Sequence, residues 1–534
     1  MNFSLLAKML SRIAFLIGGT MVFSLPWTLP ALGAAAEFER AGFIGLAGSI
    51  VVAAAVGGLL WYLGREANGS LYRKEAMAVV GLSWVLATVL GALPYLISGT
   101  KLGPERPMQV WDALFESQSG FSTTGATVIT DLEDPDLVPR SILFWRSSTH
   151  FLGGLGIIVL FVAILGQGSA GKALMRSEMP GPSKEGSQAR MQHTAWYFAS
   201  IYLGLTAVLT LLLRVEGLDW FDSLCHSFGT MATGGFSTYN DSVGAFATLP
   251  YISETQAVLI EVTIIVFMVL AGTNFTLLYF VLVLQPGKLF ADLEWRVFAL
   301  VIVGGTLVIL GFGRFHQDFG SWGEGVRHGL FQVVSVMTTT GYGTTADFNS
   351  WNSVGRGLLF LLMFVGGCAG STGGGLKVIR HILFLKIMGL ELERAYHPSV
   401  VRPLRISGQP VEDPELRRNI LVYFGLVLVI FVFSWMALVA MEPDDTWRET
   451  MLADGEVAAE AAERSIEHKL IDSASGIAAT LNNIGPGLGV VGAKQNYALF
   501  SPAAKLLFTF LMMLGRLEIF VILVLLLPGF WRAH

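Results

Sequence analysis

The chain has 534 residues, 53% of them hydrophobic and only 14% charged, with a net charge of −5. A soluble globular chain carries about 25% charged residues, so an ordinary water-soluble domain is excluded. Cys225 and Cys368 are too few for a disulfide framework, and the nine His are scattered without metal-ligand spacing or a nucleophile–base cluster, which argues against a membrane enzyme.

Apolar runs such as Ile420–Ala440 and Leu506–Leu527 are each about 20 residues, enough to cross a hydrocarbon core. The pattern predicts ten spans, at 8–34, 41–64, 76–99, 141–165, 195–213, 256–284, 295–312, 354–390, 416–440 and 501–528. Lys8 and Arg12 precede the first apolar stretch as in a signal peptide, but it runs on to Leu32 without a clear small-x-small site, so it reads as a retained span. Alternate turns are basic: Arg65, Arg73 and Lys74; Lys172, Arg176, Lys184 and Arg190; Lys386, Arg394, Arg402, Arg405, Arg417 and Arg418. The intervening turns carry Glu105, Asp112, Glu116, Asp131, Glu133, Asp134 and Asp136, and Glu442, Asp444 and Asp445. The Lys/Arg asymmetry puts both termini in the cytoplasm of a multi-pass inner-membrane protein.

Four segments between spans share one pattern: Trp111–Thr127, Phe221–Thr238, Arg327–Thr344 and Ile471–Leu488. Counting from Asp112, Asp222, His328 and Asp472, the thirteenth residue on is Gly125, Gly235, Gly341 and Gly485. Each block is a short helix running into a Thr/Ser/Asn-rich turn, too polar and too short to span. Asp112, Asp222 and Asp472 are expected to be N-caps. A short helix entering the membrane points its partly negative end inward, which favours a cation there. The chain must then turn back, and non-helical backbone at that depth survives only where it is buried or lines water. Four such turns about one axis give rings of carbonyls that can replace an ion's hydration shell. The alternative is four surface loops whose glycines only make turns; a shared register argues against it.

The fold class follows: all-α integral membrane, with four pseudo-symmetric membrane–pore–membrane repeats around one pore and two N-terminal transmembrane helices outside them. The expected boundaries are 1–70 for the N-terminal pair, then 71–175, 176–287, 288–395 and 396–534 for the repeats. Within the eighth span, Gly366–Lys377 has six Gly in its first ten residues. Each Gly costs about 1 kcal/mol relative to Ala in a helix, so this stretch is expected to be non-helical, lining the pore or forming a packing kink. It lacks the Gly-Lys-Ser/Thr end of a phosphate loop. Arg516 lies in the tenth span, where a charge is a functional candidate; half of a buried structural pair is the alternative. Glu518 is two residues on and faces elsewhere. Lys377 and Arg380 read as snorkelling anchors.

These motifs resemble the Trk/Ktr/HKT superfamily of cation transporters, particularly its TrkH/TrkG branch. The resemblance rests on Ser122–Thr127, Thr233–Thr238, Thr338–Thr344 and Leu481–Gly489, with Phe151–Ile158, Glu178–Lys184 and Tyr396–Val401. It implies a gated potassium-selective pore; a sodium/potassium symporter or less selective cation pore is the alternative. The implied filter is Thr124, Gly125, Gly234, Gly235, Thr340, Gly341, Asn483, Ile484 and Gly485. Potassium would meet backbone carbonyls of Thr123, Thr124, Thr233, Gly234, Thr339, Thr340, Asn483 and Ile484. Gly235 is preferred to Gly234 because it keeps the count and precedes Phe236, as Gly341 precedes Tyr342. Sodium-favouring relatives carry Ser where this chain has Gly125. The implied gate is Gly370, Ser371, Thr372, Gly373, Gly374, Gly375 and Arg516.

The family also implies a homodimer and a cytosolic TrkA-like nucleotide-binding ring. That ring would dock on the basic loops 166–194 and 386–418, whose alternative reading is topology and lipid contact. No covalent cofactor and no nucleic-acid partner are expected, and nucleotide would act only through the partner subunit. Two features depart from the family: a long Ala/Glu-rich stretch at 441–471, expected to be an exposed helix, and His328 in place of Asp beside Arg327, read as a satisfied surface pair.

Overall fold

The computed structural model describes residues 1–32, 37–67, 72–156, 188–398, 404–406, 409–411, 414–448, 458–517 and 519–532. Among them, seven helices are long and apolar enough to cross a membrane: Phe3–Thr28, Arg40–Gly64, Lys74–Ser98, Trp196–Val215, Glu254–Gly272, Leu293–Phe315 and Glu415–Met441. Four of the ten expected spans, the sixth of them among these seven, are shorter than expected or broken. The fourth is seen as Arg140–Leu155, and the rest of it lies outside the described residues. The sixth stops at Gly272, and Asn274 caps a new helix, Phe275–Leu282, by accepting from the Thr276 amide at 2.8 Å. The eighth divides into Ser353–Leu362 and Val378–Tyr396 around the glycine stretch. The tenth divides into Pro502–Arg516 and Ile519–Leu525. The break in the eighth span falls at the glycine stretch, where it was expected, while hydropathy joined the two parts of the sixth because an apolar run resumes at Phe275.

The first two long helices pack through glycines: a Cβ on Gly64 would fall 2.7 Å from the Ser4 carbonyl oxygen. Small residues at such crossings let helix backbones approach without a hydrophobic driving force. Glu39, just before the second helix, caps the Arg140–Leu155 helix, accepting from the amides of Arg140 at 2.8 Å and Ser141 at 3.0 Å. The N-terminal pair is thereby fastened to the first repeat.

Each of the four blocks contains a helix that ends at its turn: Val110–Phe121, Trp220–Met231, Trp322–Met337 and Ala458–Leu481. The expected N-caps are wrong. Gln109, Asp219 and Ser321 hold the N-cap positions of the first three helices, and Asp472 lies well inside the fourth. The counted residues have another task, reaching across to the chain beyond the turn. Asp222 accepts from Thr238 Oγ1 at 2.6 Å and Tyr239 Oη at 2.7 Å, His328 meets Thr344 Oγ1 at 2.9 Å, and Asp472 accepts from the Val490 amide at 3.3 Å. In the first repeat Glu116 does this, accepting from the Val128 amide at 2.9 Å, while Asp112 caps Gln109 and pairs with Lys505. The fourth helix continues from the Ala/Glu-rich stretch, of which 449–457 lies outside the described residues.

Hydrogen bonds join the repeats in a closed cycle. Repeats 1 and 2 meet through Leu132 N–H to Asn240 Oδ1 at 2.9 Å, and 2 and 3 through Gly244 N–H to the Gly343 carbonyl at 3.2 Å. Repeats 3 and 4 meet through Gly489 N–H to Asn349 Oδ1 at 2.8 Å, and 4 and 1 through Tyr497 N–H to the Thr127 carbonyl at 2.8 Å. One apolar core joins the N-terminal helices with repeats 1 and 4, and a second serves mainly repeats 2 and 3. Basic loop residues 157–187 lie outside the described residues.

The Lys505–Asp112 pair closes the cycle with charge, at 2.6 Å and with both side chains 1% exposed. Breaking one side of a buried pair costs about 3–5 kcal/mol because the other charge is stranded. Lys505→Met is therefore expected to lower the melting temperature of the detergent-solubilised protein, and Lys505→Met with Asp112→Asn, which retains a capping group, to recover much of the loss. A single variant as stable as the parent would remove the pair's structural role.

Candidate functional site

The four turns have one backbone conformation. Thr123, Thr233, Thr339 and Asn483 are left-handed, with φ of 53°, 55°, 60° and 54°, and two residues later Gly125, Gly235, Gly341 and Gly485 have φ of 83°, 80°, 79° and 96°. The first member of each pair completes a helix C-terminus. The following amide bonds back to the fifth carbonyl before it: Thr124 to Ser119 at 2.9 Å, and Gly234 to Gly229, Thr340 to Ser335 and Ile484 to Ala479 at 2.8 Å each. This is a Schellman end, whose left-handed position is usually Gly. A left-handed L-residue costs roughly 1–2 kcal/mol, so three β-branched Thr here mark stored strain, which clusters at functional sites.

The second member sets the ring. A Cβ on Gly125 would overlap the Gly234 carbonyl oxygen, one on Gly235 that of Thr340, one on Gly341 that of Ile484, and one on Gly485 that of Thr124. Each glycine thus lies against the next repeat's carbonyl, and the fourth returns to the first. The four oxygens of Thr124, Gly234, Thr340 and Ile484 form one circuit. Thr123, Thr233, Thr339 and Asn483 precede them and are buried. A cavity of about 70 Å³ adjoins all four glycines, lined also by Arg146, Tyr239, Asn240 and Lys494. At that mouth Asp131 accepts from Asn240 Nδ2 at 2.8 Å, and this hydrogen bond holds its carboxyl below the usual range.

Beneath the circuit lies the glycine stretch. The helix ends at Leu362 and resumes at Val378, with Gly370 and Gly375 left-handed at φ of 70° and 61°. Several of its amides find partners without a helix. The Cys368 amide bonds to the Gly272 carbonyl at 2.9 Å, Thr372 to Ala271 at 3.2 Å, and Gly374 to Thr339 Oγ1 at 2.8 Å. The buried Glu294 carboxylate accepts from Ala369 at 2.8 Å and Ile379 at 3.0 Å. Gly374 also sits against Asn483, where a Cβ would meet the Asn483 Cβ at 2.6 Å. The loop therefore touches two of the four left-handed residues below the ring.

Arg516 joins this loop to repeat 1. Its guanidinium donates to the Thr372 carbonyl at 2.6 Å and the Gly153 carbonyl at 2.5 Å. Glu518 lies outside the described residues. Lys377 is not a snorkelling anchor: it is 4% exposed, and its Nζ turns back to donate to the Gly373 carbonyl. Arg380 lies over the Tyr423 ring at 4.0 Å. A cavity of about 120 Å³ beside the loop is lined by Gly370–Gly375, Lys377, Arg380, Tyr202 and Arg516. Arg327 is satisfied, donating to both Glu261 oxygens at 2.5 and 2.8 Å.

The structure brings the expected filter residues into one ring and the expected gate residues into one layer beneath it. It adds Arg146, His150 and Glu294, which the sequence reading passed over, and gives Glu116 and Lys377 roles other than the acidic turn and the snorkelling anchor read for them. Arg146 and Glu116 pair at 2.6 Å with 2% and 0% exposure behind the ring. An Arg inside a predicted span was a visible signal; its carboxylate partner, thirty residues earlier in a polar block, was not.

A family model described as TrkH, cation transport protein, matches residues 46–453. The Trk system potassium uptake protein TrkH of Escherichia coli K12 is 35% identical over 541 residues, covering 100% of both chains. Its TrkG counterpart in the same organism is 31% identical, over 91% of each chain. The crystal structure of the potassium transporter TrkH from Vibrio parahaemolyticus superposes with a TM-score of 0.79 at 31% identity, covering 100% of both chains.

The ring makes glycine obligatory by two independent routes, left-handed φ and a carbonyl in the Cβ position. Gly235→Ala is expected to lower the melting temperature strongly. Gly355→Ala, where a Cβ would meet only ordinary contacts at 3.6 Å, is expected to leave it near the parent value. Equal melting of the two variants in thermal denaturation would contradict the ring's packing.

Proposed function

The chain belongs to the TrkH family of cation transport proteins and serves potassium uptake as the membrane subunit of a Trk-type system, and from that premise we propose that the circuit of Thr124, Gly234, Thr340 and Ile484 carbonyls is its selectivity filter. The family is one of transporters, not enzymes. One observation carries the reading: four equivalent carbonyls, each pressed by the preceding repeat's left-handed glycine, close a single circuit. Carbonyl oxygens so held can stand in for the hydration shell of a dehydrated potassium ion. The carbonyls of Thr123, Thr233, Thr339 and Asn483 supply a second tier in this proposal. Helix C-termini aimed at the axis add favourable partial charge.

The gate in this reading is the Gly370–Gly375 loop, held across the path by Arg516. Its contact with Thr339 and Asn483 directly below the ring supports this, and its lack of helix lets it move without unwinding a span. Both termini face the cytoplasm by the Lys/Arg distribution. A Trk-type system works with partner subunits; a TrkA-like nucleotide-binding ring on the basic loops, a homodimer and contacts with membrane lipid complete the proposal.

Two expected outcomes follow from this reading. Gly125→Ser places a side chain where the Gly234 carbonyl oxygen lies, so potassium-over-sodium preference should fall. Reversal potentials in planar bilayers measure it, and an unchanged permeability ratio would sink the filter assignment. Arg516→Ala frees the Thr372 carbonyl and removes a positive charge from beside the path. At an effective dielectric of about 20, unit charges 4 Å apart interact by about 4 kcal/mol. Potassium flux should rise for Arg516→Ala, and less for Arg516→Gln, with selectivity kept. If Arg516 is only structural, melting temperature falls instead and flux per folded molecule stays at the parent value.

A further inference from the structure

The four quadrants of the ring are not braced alike. Six residues before the filter glycines stand Ser119, Gly229, Ser335 and Ala479. Ser119 Oγ donates to the Ala126 carbonyl at 2.6 Å, and Ser335 Oγ to the Tyr342 carbonyl at 2.8 Å. Each serine thus fixes the carbonyl just beyond its own filter glycine. In the fourth repeat Ser475 Oγ accepts from the Leu488 amide at 2.8 Å, one helical turn earlier. The second repeat has Gly229 and no such hydroxyl. A Cβ there would stand 2.9 Å from the Phe236 carbonyl oxygen.

Neighbouring repeats supply what Gly229 lacks. His150, on the Arg140–Leu155 helix of repeat 1, is fully buried at 0% exposure. Its Nδ1 lies 2.8 Å from the Gly120 carbonyl, and its Nε2 accepts from the Phe236 amide at 3.1 Å. One nitrogen faces an acceptor and the other a donor, so the partners assign a neutral ring with its proton on Nδ1. The same ring stacks on Phe236 with centroids 4.0 Å apart, and a Cβ on Gly234 would lie 2.5 Å from it. One turn earlier, Arg146 places its guanidinium carbon 3.4 Å from the Phe236 centroid and donates to the Ser237 carbonyl at 2.9 Å. Tyr342 Oη of repeat 3 reaches the Phe236 carbonyl at 3.5 Å.

We propose that His150 is a positioning residue that sets the second quadrant of the filter, tying the end of the first pore helix to the backbone behind the Gly234 carbonyl, with Arg146 as its co-brace. The proposal rests on the filter reading above and deepens it: His150 touches no ion, and acts on selectivity only through where it holds Gly234 and Phe236.

The test uses the full-length protein in planar bilayers, with potassium/sodium permeability ratios from reversal potentials and melting temperatures on the same preparations. His150→Phe retains a ring over Phe236 and removes both hydrogen bonds. His150→Asn retains a donor for Gly120 and removes the acceptor for Phe236. Both are expected to lower the ratio by roughly two- to tenfold, the factor an ordinary hydrogen bond commands. His150→Gln, whose longer amide reaches the Phe236 N–H, is expected to recover part of it. Trp145→Phe is the control: Trp145 is equally buried, but its Nε1 bonds to the Gly91 carbonyl at 3.1 Å, outside the four turns, and a Phe keeps an aromatic ring beside Phe121, so stability falls and the ratio holds. A parental ratio in either His150→Phe or His150→Asn overturns the proposal, as does an equal shift in Trp145→Phe; if His150→Phe does not fold, His150→Asn decides. Gly125→Ser in the same assay separates the two readings. If it shifts the ratio while the His150 variants do not, the positioning role alone falls; if none shifts it, the filter assignment falls too.

Discussion

A left-handed glycine pressed against the next repeat's carbonyl, repeated until the fourth meets the first, is the contact on which this molecule turns. No repeat can place its own turn. The position of the Gly234 carbonyl is bounded by Gly125 on one side, and Gly235 in turn bounds the Thr340 carbonyl, so an error in one loop is passed around the circuit. Closely packed interiors transmit strain in this way because there is no free volume to absorb it. The Schellman ends explain how each loop reaches the axis. Thr123, Thr233 and Thr339 accept an unfavourable conformation there, and the burial and hydrogen bonding around them must offset it.

Charge is arranged in two layers around that circuit. Behind it, Glu116 with Arg146 and Asp112 with Lys505 are closed pairs with almost no exposure. Removing one partner of such a pair strands the other charge, and each pair here is tied to an interface: Arg146, paired within repeat 1, also reaches Ser237 of repeat 2, and Lys505 of repeat 4 pairs with Asp112 of repeat 1. Below the circuit, Lys377 and Arg516 engage backbone carbonyls of the glycine loop. Closed pairs behind the ring and cations on the loop backbone below it accord with the proposed filter and gate.

Glu294 connects the two behaviours of the loop. Its carboxylate holds the Ala369 and Ile379 amides, one at each end of the glycine stretch. The ends are thereby anchored to the Leu293–Phe315 helix while Gly370–Gly375 between them bond to Ala271, Thr339 and Arg516. In the proposed gate, these two anchors keep the ends of the loop fixed to the spans that carry it.

Much of this was legible in the residues. Apolar length and scarce charge established a membrane protein, and a thirteen-residue count from Asp112, Asp222, His328 and Asp472 located Gly125, Gly235, Gly341 and Gly485, because a repeated backbone conformation demands the same residue at the same place. The glycine run announced a broken helix for the same local reason. The counted residues themselves were misread as N-caps: an Asp before a helix resembles a cap, and nothing local reveals that its partner is Thr238 or Lys505. The break at Gly272 was missed because an apolar run resumes at Phe275, and the one at Leu517 because the charge of Arg516 was weighed without its place at a helix end. The roles of His150, Arg146 and Lys377 were invisible too, since a buried polar side chain is defined by the atom it meets. The sequence by itself determined which backbone conformations were possible at each turn, since φ preference is a property of the residue. Only the tertiary structure decided which carbonyl each glycine faces and which side chains brace the ring, because those contacts join residues that the chain order keeps tens to hundreds of positions apart.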